Sequence, residues 1–345
     1  MAKAFAIQNF LQQAEACEQL GSPFNAKLCR LLASTIDRTS SFGARLLDWP
    51  YTAEADAVAL RACGALHALA RSGRQPSLSA AYPPDRSIAL EDILAGTIAA
   101  EDAFLTSYLD SPPQTNEVAR SAIILGGLLT IAATSTNRLE LIELGSSAGL
   151  NLLLDQYHYR LGEEREWGDR EAPVSIASHW TGTVPDVTLS LNIARRAGCD
   201  RNALDPSLPQ TRQRLLSYVW PDQTDRMARL EAALGNAMKS PMRVINEDAA
   251  VFAERQLTLP QETGTVRVLM HTIVWQYLTE PTQNRIGAAM HAAAARADAQ
   301  HPLAWLSVEA DGQPKGANIS LRLWPHSQRR SLGRADFHGR WVEWA

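Results

Sequence analysis

No C-x-x-C spacing, no long apolar run and no large excess of one charge mark this chain. Its four cysteines, Cys17, Cys29, Cys63 and Cys199, are scattered over 345 residues. That argues against a zinc site or a disulfide framework, so no metal is expected and a reducing cytoplasm is the expected compartment. The most apolar stretch, Ala122 to Ala133, is too short to span a bilayer and reads as a buried helix. The opening MAKAFAIQNFLQQAE turns polar too soon to form a signal-peptide core. A net charge of −4 gives no global reason to expect nucleic-acid binding. No internal repeat or low-complexity tract is visible. With 46% hydrophobic and 20% charged residues the composition is that of an ordinary globular protein, long enough for two domains.

Periodicity divides what remains. From residue 4 to about 110 apolar residues recur at helical spacing, as in Phe5, Ile7, Phe10, Leu11 and again in Leu28, Leu31, Leu32. Breaks at Gly21-Ser-Pro, Asp48-Trp-Pro, Ser72-Gly-Arg and Tyr82-Pro-Pro predict five or six helices. SPPQTNEVAR, residues 111–120, starts another helix, with Thr115 or Asn116 as its cap. Beyond it, strands alternate with helices, as a parallel sheet requires.

The richest segment is LELIELGSSAGLNLLLDQYH, residues 139–158. Leu139, Leu141, Ile142 and Leu144 make an apolar strand interrupted by Glu143; Gly145 to Gly149 turn the chain, and Leu150 to Leu154 open an apolar helix. Small residues at Gly145, Ser146, Ser147, Ala148 and Gly149 let a ligand approach the backbone, with the helix-opening amides pointing at it. A dinucleotide fingerprint would need a third glycine and an acid about 20 residues further on; here the acid comes first. The pattern resembles motif I of the class I methyltransferases that use S-adenosylmethionine, with Ser147 where that family usually has its middle glycine. Tight turns in α/β proteins also favour Gly and Ser without any ligand.

That resemblance implies a Rossmann-like, mostly parallel sheet of about seven strands, α/β in class. The candidate strands after 139–145 are 174–180, 243–249, 266–272 and 303–310, then 319–324 and 339–344 as an antiparallel pair. The helix from Gln283 to Ala299 is long enough to cross over. The expected division is a helical region, 1–112, and a methyltransferase-type domain, 113–345, with an insertion at about 183–240. From Asn192 to Lys239 the insertion holds eight Lys/Arg against five Asp/Glu. That excess fits either an anionic substrate under a lid or solvated pairs such as Asp222 with Arg226.

Ligands in such sheets bind beyond the carboxyl ends of the strands. By the resemblance, Asp248-Ala249 looks like the family's Asp-Ala pair, whose acid accepts a hydrogen bond from the adenine amine; a helix N-cap explains the same aspartate. The second strand should end in an acid for the ribose hydroxyls, yet it ends in Ser178 and His179, so either these substitute or the strand lies elsewhere. Gln114, Thr115, Asn116 and Glu117 offer groups for the methionine ammonium and carboxylate, or simply a polar helix start. After the fourth strand, HTIVWQYL supplies His271 as a candidate base and Trp275 and Tyr277 as an aromatic wall, or as hydrogen-bonded and core residues. Glu309, His326 and His338 are reserves.

SPPQTNEVAR, ELGSSAGLNLLLD, RLLSYVWPDQTDR, HTIVWQYL and HGRWVEW together resemble a bacterial family known only as domain of unknown function 2332, over nearly the whole chain. The expectation is a cytoplasmic S-adenosylmethionine-dependent methyltransferase acting on a small molecule. The alternative is a degenerate, non-catalytic Rossmann-like protein that binds an adenine-containing metabolite or a protein partner. A nicotinamide oxidoreductase ranks third. Neither the methyl acceptor nor the oligomeric state is specified by these residues.

Overall fold

The computed structural model describes residues 2–50, 53–54, 56–240, 242–325 and 329–345. Two compact units emerge: Met1–Thr115 with Leu208–Glu231, and Asn116–Ser207 with Ala232–Ala345. In chain order the helices are α1 (Ala2–Gln19), α2 (Pro23–Thr35), α3 (Ser41–Leu47), α4 (Val58–Ser72), α5 (Pro76–Ala81), α6 (Leu90–Ala100), α7 (Asp102–Tyr108), α8 (Ser121–Thr134), α9 (Pro209–Ser217), α10 (Thr224–Lys239), α11 (Ala249–Thr258) and α12 (Glu280–Ala294). The strands are β1 (Arg138–Leu144), β2 (His158–Leu161), β3 (Glu166–Trp167), β4 (Ser175–Gly182), β5 (Asn192–Asp200), β6 (Ile245–Asn246), β7 (Val266–Thr272), β8 (Leu303–Glu309), β9 (Ala317–Trp324), β10 (Arg329–Ala335) and β11 (Trp341–Trp344).

The first unit buries Phe10, Leu28 and Leu66 in an all-helical core. Its breaks are chemical: Ser22 accepts from the Asn25 amide with Pro23 at the first helical position, and Ser40 accepts from the Gly43 amide. Residues 208–231 pack into it. His67 Nδ1 lies 3.1 Å from the Ser217 carbonyl, Ser22 and the Phe24 amide donate to Asp222, and α9 packs on α4. Asp222 thus serves the start of α2.

The second unit is built on one mixed, mostly parallel sheet of 11 strands rather than about seven, in the order β3-β2-β4-β11-β10-β9-β8-β7-β1-β5-β6. Four differences from the expected elements matter. The strand beside β1 is β5, inside the stretch read as an insertion, while β4 lies on the other wing, between β2 and β11. The turn after β1 leads into a 3-10 helix, Leu150–Gln156, and then into β2, not into an α-helix. The late strands 319–324 and 339–344 are not partners, because β10 runs antiparallel between β9 and β11. Glu117, not Thr115 or Asn116, caps the 3-10 turn Val118–Arg120 that precedes α8.

Strand alternation sets the two faces. Ile142, Leu144 and Leu269 pack against α11 and α12. Glu143 is in register with Met270, and Met270 with Leu306, which α8 covers at Gly127. A charged cluster interrupts the first face at the amino end of β1: Arg195 and Arg267 Nε, the latter at 2.8 Å, both donate to the buried Glu140. Among the described residues no helix is long and apolar enough to cross a membrane.

Candidate functional site

Glu143 lies three residues along β1 from Glu140 and is 2% exposed, yet its situation is the reverse. Among the described residues its Oε2 has no hydrogen-bond partner. Burial above all, with the Asp200 charge adding to it, pushes its carboxyl up to about 8 against the pull of Ser146 and Arg120. Among the described residues two more buried oxygens that follow in the chain lack partners: Ser147 Oγ in the turn and Asn151 Oδ1 in the 3-10 helix. Buried polar groups are normally paired, so three unpartnered oxygens within nine residues are unusual.

The turn keeps the path of a glycine loop. Ser147 holds φ +54°, in the left-handed region, between Gly145 at +71° and Gly149 at +75°. Across the sheet edge Ile273, just past β7, holds φ +50°, an outlier for a β-branched residue. Strained backbone therefore ends both β1 and β7, the two strands between which the order of the parallel sheet reverses.

The expected cradle of amides is corrected by the structure. Ser146 N donates to the Cys199 carbonyl, Ser147 N to Asp200 Oδ2 at 2.9 Å, Gly149 N to the Ser146 carbonyl, and Ala148 N and Leu150 N both to Asn116 Oδ1 at 3.2 and 3.0 Å. Nor do the glycines leave open space. A Cβ on Gly145 would stand 2.5 Å from Val274 Cγ2, and one on Gly149 2.1 Å from Met242 Cε. Both sites are glycine because the protein's own side chains lie over them.

Asp200, at the carboxyl end of β5, was missed in the sequence. Its Oδ2 holds the Ser147 amide and its Oδ1 the Asn202 amide, which places the carboxylate beside the turn. Asp248 follows β6 and caps α11, accepting from the Ala250 and Val251 amides, and it pairs with Arg201 at 3.0 Å. Burial works upward on its carboxyl, but the Arg201 and amide hydrogen bonds prevail and hold it below the usual carboxylate range. Ala249, the first residue of α11, is buried in the core.

Ser178 and His179 stand six strands from β1 in the sheet order and are occupied with β11 and the loop before it: Ser178 Oγ donates to the Gly339 carbonyl and His179 N to the Arg340 carbonyl. Of the segment before α8, Asn116 clamps the turn and Glu117 Oε1 accepts from the Ala119 amide. Gln114 and Thr115 belong to the first unit. Tyr277 is 72% exposed and lies at the surface, not in a wall. His326 falls outside the described residues.

His271 is locked. Its Nδ1 donates to Glu309 Oε1 at 2.6 Å, and Trp305 Nε1 donates to its Nε2 at 3.0 Å. These partners fix the neutral tautomer and occupy the lone pair a base would use. The Glu309 carboxylate also accepts from the Val274 and Trp275 amides, and the Trp275 ring stacks on His271 at 4.8 Å. His271 is thus a positioning residue on the wall of a cavity of about 250 Å³ on the α12 side of β7, β8 and β9.

No curated protein matches the chain. The profile of a family described as "Uncharacterized protein conserved in bacteria (DUF2332)" matches residues 7–344. The chain belongs to that DUF2332 family.

Proposed function

We propose that the second unit binds S-adenosylmethionine at the carboxyl ends of β5, β1 and β7 and methylates a small molecule. The observation that carries this reading is the buried Glu143 carboxyl, whose Oε2 has no hydrogen-bond partner among the described residues, with Ser147 Oγ and Asn151 Oδ1 likewise unpartnered in the turn and 3-10 helix that follow it. A ligand ammonium would supply the missing partner. Three features support it. The parallel strands run β6-β5-β1-β7-β8, which by place in the chain is the 3-2-1-4-5 order of nucleotide-binding sheets, with ligands held where that order reverses. Asp200 and Asp248 follow β5 and β6, the places for acceptors of ribose hydroxyls and of the adenine amine. Ser147 keeps the left-handed backbone of the glycine it replaces in the motif.

Bound there, the cofactor supplies a methyl group already activated on a sulfonium. The chain's part is to grip it through Glu143, Asp200 and Asp248, to exclude water and to align an acceptor. His271 orients Trp305 and takes no proton in this arrangement.

The satisfied turn amides and the side chains over Gly145 and Gly149 favour a second reading, a Rossmann-like binder without turnover. Calorimetric titration with S-adenosylmethionine, S-adenosylhomocysteine and NAD separates the readings. Micromolar binding of the first two, lost in Asp200→Ala, supports the proposal; no binding of either refutes it, and binding of NAD alone points to a redox cofactor.

A further inference from the structure

The cavity beside His271 is walled by rings whose positions are fixed without a ligand. Trp275 stacks on His271 at 4.8 Å, and Trp305 meets Trp275 edge to face at 5.8 Å, their planes 60° apart. Trp305 Nε1 donates to His271 Nε2, which ties both indoles to one imidazole. Two rings set at such an angle form a corner, where a third flat ring can lie on one and point its edge at the other. Because the corner is already rigid, little ordering remains to be done on binding.

The charges around the cavity are answered by the protein itself. Glu309 accepts from His271 Nδ1 and from the Val274 and Trp275 amides, and Arg334 holds Asp311 through two bonds of 2.8 and 2.9 Å. Arg322 lies over the Trp324 ring at 4.7 Å, and Arg329 Nε donates to Ser320 Oγ at 2.7 Å. With both acids and both arginines of the lining so engaged, a ligand without net charge suits the cavity best.

The polar groups left to be used are donors. Ser320, only 4% exposed, accepts from Arg329 with its oxygen and keeps its own proton to give. Asn318 Oδ1 accepts from Ser331 Oγ at 2.7 Å, which leaves the two Nδ2 protons. Ser307 adds a third hydroxyl to the same lining. A matching ligand therefore carries acceptors, carbonyl oxygen or ring nitrogen, along one edge. Its size follows from the volume: about 250 Å³, against the ~150 Å³ known to admit a benzene ring, leaves room for a second fused ring.

We infer that this cavity binds a neutral bicyclic heteroaromatic ring of the purine or pteridine kind, stacked in the corner of Trp275 and Trp305, with its edge acceptors toward Asn318 and Ser320. Stacking on indoles is open to any such ring, and the donors select those that carry acceptors. The site does not depend on the cofactor reading, since none of its residues is among those proposed to grip S-adenosylmethionine.

The test is calorimetric titration of the whole protein, without S-adenosylmethionine, using hypoxanthine and indole. Both are fused bicyclic rings of similar size, and only the first carries edge acceptors. Hypoxanthine binds saturably, at least tenfold more tightly than indole. Asn318→Asp keeps the bond from Ser331 but exchanges the remaining donor for an acceptor, and it weakens hypoxanthine tenfold or more, whereas Asp200→Ala leaves it unchanged. The inference is overturned by absence of saturable hypoxanthine binding at millimolar concentration, by indole binding as tightly, or by an unaltered Asn318→Asp. Loss of hypoxanthine in Asp200→Ala also overturns it, because the ring would then sit at the cofactor site. If Asn318→Asp fails to fold, Ser307→Ala decides instead: it weakens hypoxanthine at least threefold, and unchanged binding overturns the inference. Hypoxanthine binding without S-adenosylmethionine binding removes the cofactor reading alone, and the converse removes this one alone.

Discussion

The two ends of β1 treat a buried glutamate in opposite ways. At the amino end Glu140 meets Arg195 and Arg267, and Arg267 also donates to the carbonyls of Leu259 and Pro260, so every charge has an answer. At the carboxyl end Glu143 is as deeply buried, and among the described residues no arginine pairs with it and one oxygen is left over. The first arrangement is what a fold does with a charge it must bury. The second is tolerable because the carboxyl stays protonated at neutral pH, and it persists in a place where the backbone is strained as well. The same residue type, three positions apart, is thus answered by the fold at one end and left open at the other.

Substitutions at the two ends should differ in sign as well as size. Glu140→Ala strands two guanidinium groups and should destabilise the fold by about 3–5 kcal/mol in urea denaturation; a loss below about 1 kcal/mol would mean that water reaches the cluster. Gly145→Val forces a branched side chain into Val274 at φ +71° and should lose about 2–4 kcal/mol, partly restored by Val274→Ala. It therefore cannot serve as a clean probe of cofactor binding.

Glu143→Gln should behave in the opposite sense. Because the folded carboxyl titrates near 8 against an ordinary value of 4.5, the folded state holds an extra proton between those values. Stability then falls as pH rises through that window, and the loss is complete above about 8. The amide variant lacks this slope and should be more stable than the native protein above pH ~8, by about 1–3 kcal/mol at ~1.4 kcal/mol per unit discounted for relaxation. Parallel pH–stability curves for the two proteins would show that Glu143 is ionised already. Asp248→Ala removes a cap and an exposed pair and should cost only about 1 kcal/mol in thermal melting. Should it cost as much as Glu140→Ala, the contrast between the two ends of the sheet would lose its meaning.

What the sequence revealed was local. The run from Leu139 to Gly149 announced its strand and turn because the apolar run and the small, glycine-flanked residues that specify them are adjacent in the chain. β5 was hidden by its own chemistry: Arg195 and Arg196 look like solvated surface charge but are turned toward Glu140 and Asp155, partners far away in the chain. With β5 unseen, Asp200 went unseen too, and the acid expected at a strand end was sought at Ser178 and His179. The fate of the turn amides was equally illegible, since Asn116 reaches them across more than thirty residues. A readable signal did exist for Asp200, an acid ending a run of β-competent residues just before Arg201-Asn202.

Asn116 is the first residue of the second unit, and its single carbonyl oxygen staples two amides of the turn. Anyone trimming the gene to obtain the sheet alone has a sharp rule to follow. A fragment that starts one codon later would carry the whole motif and yet release the loop that the motif describes.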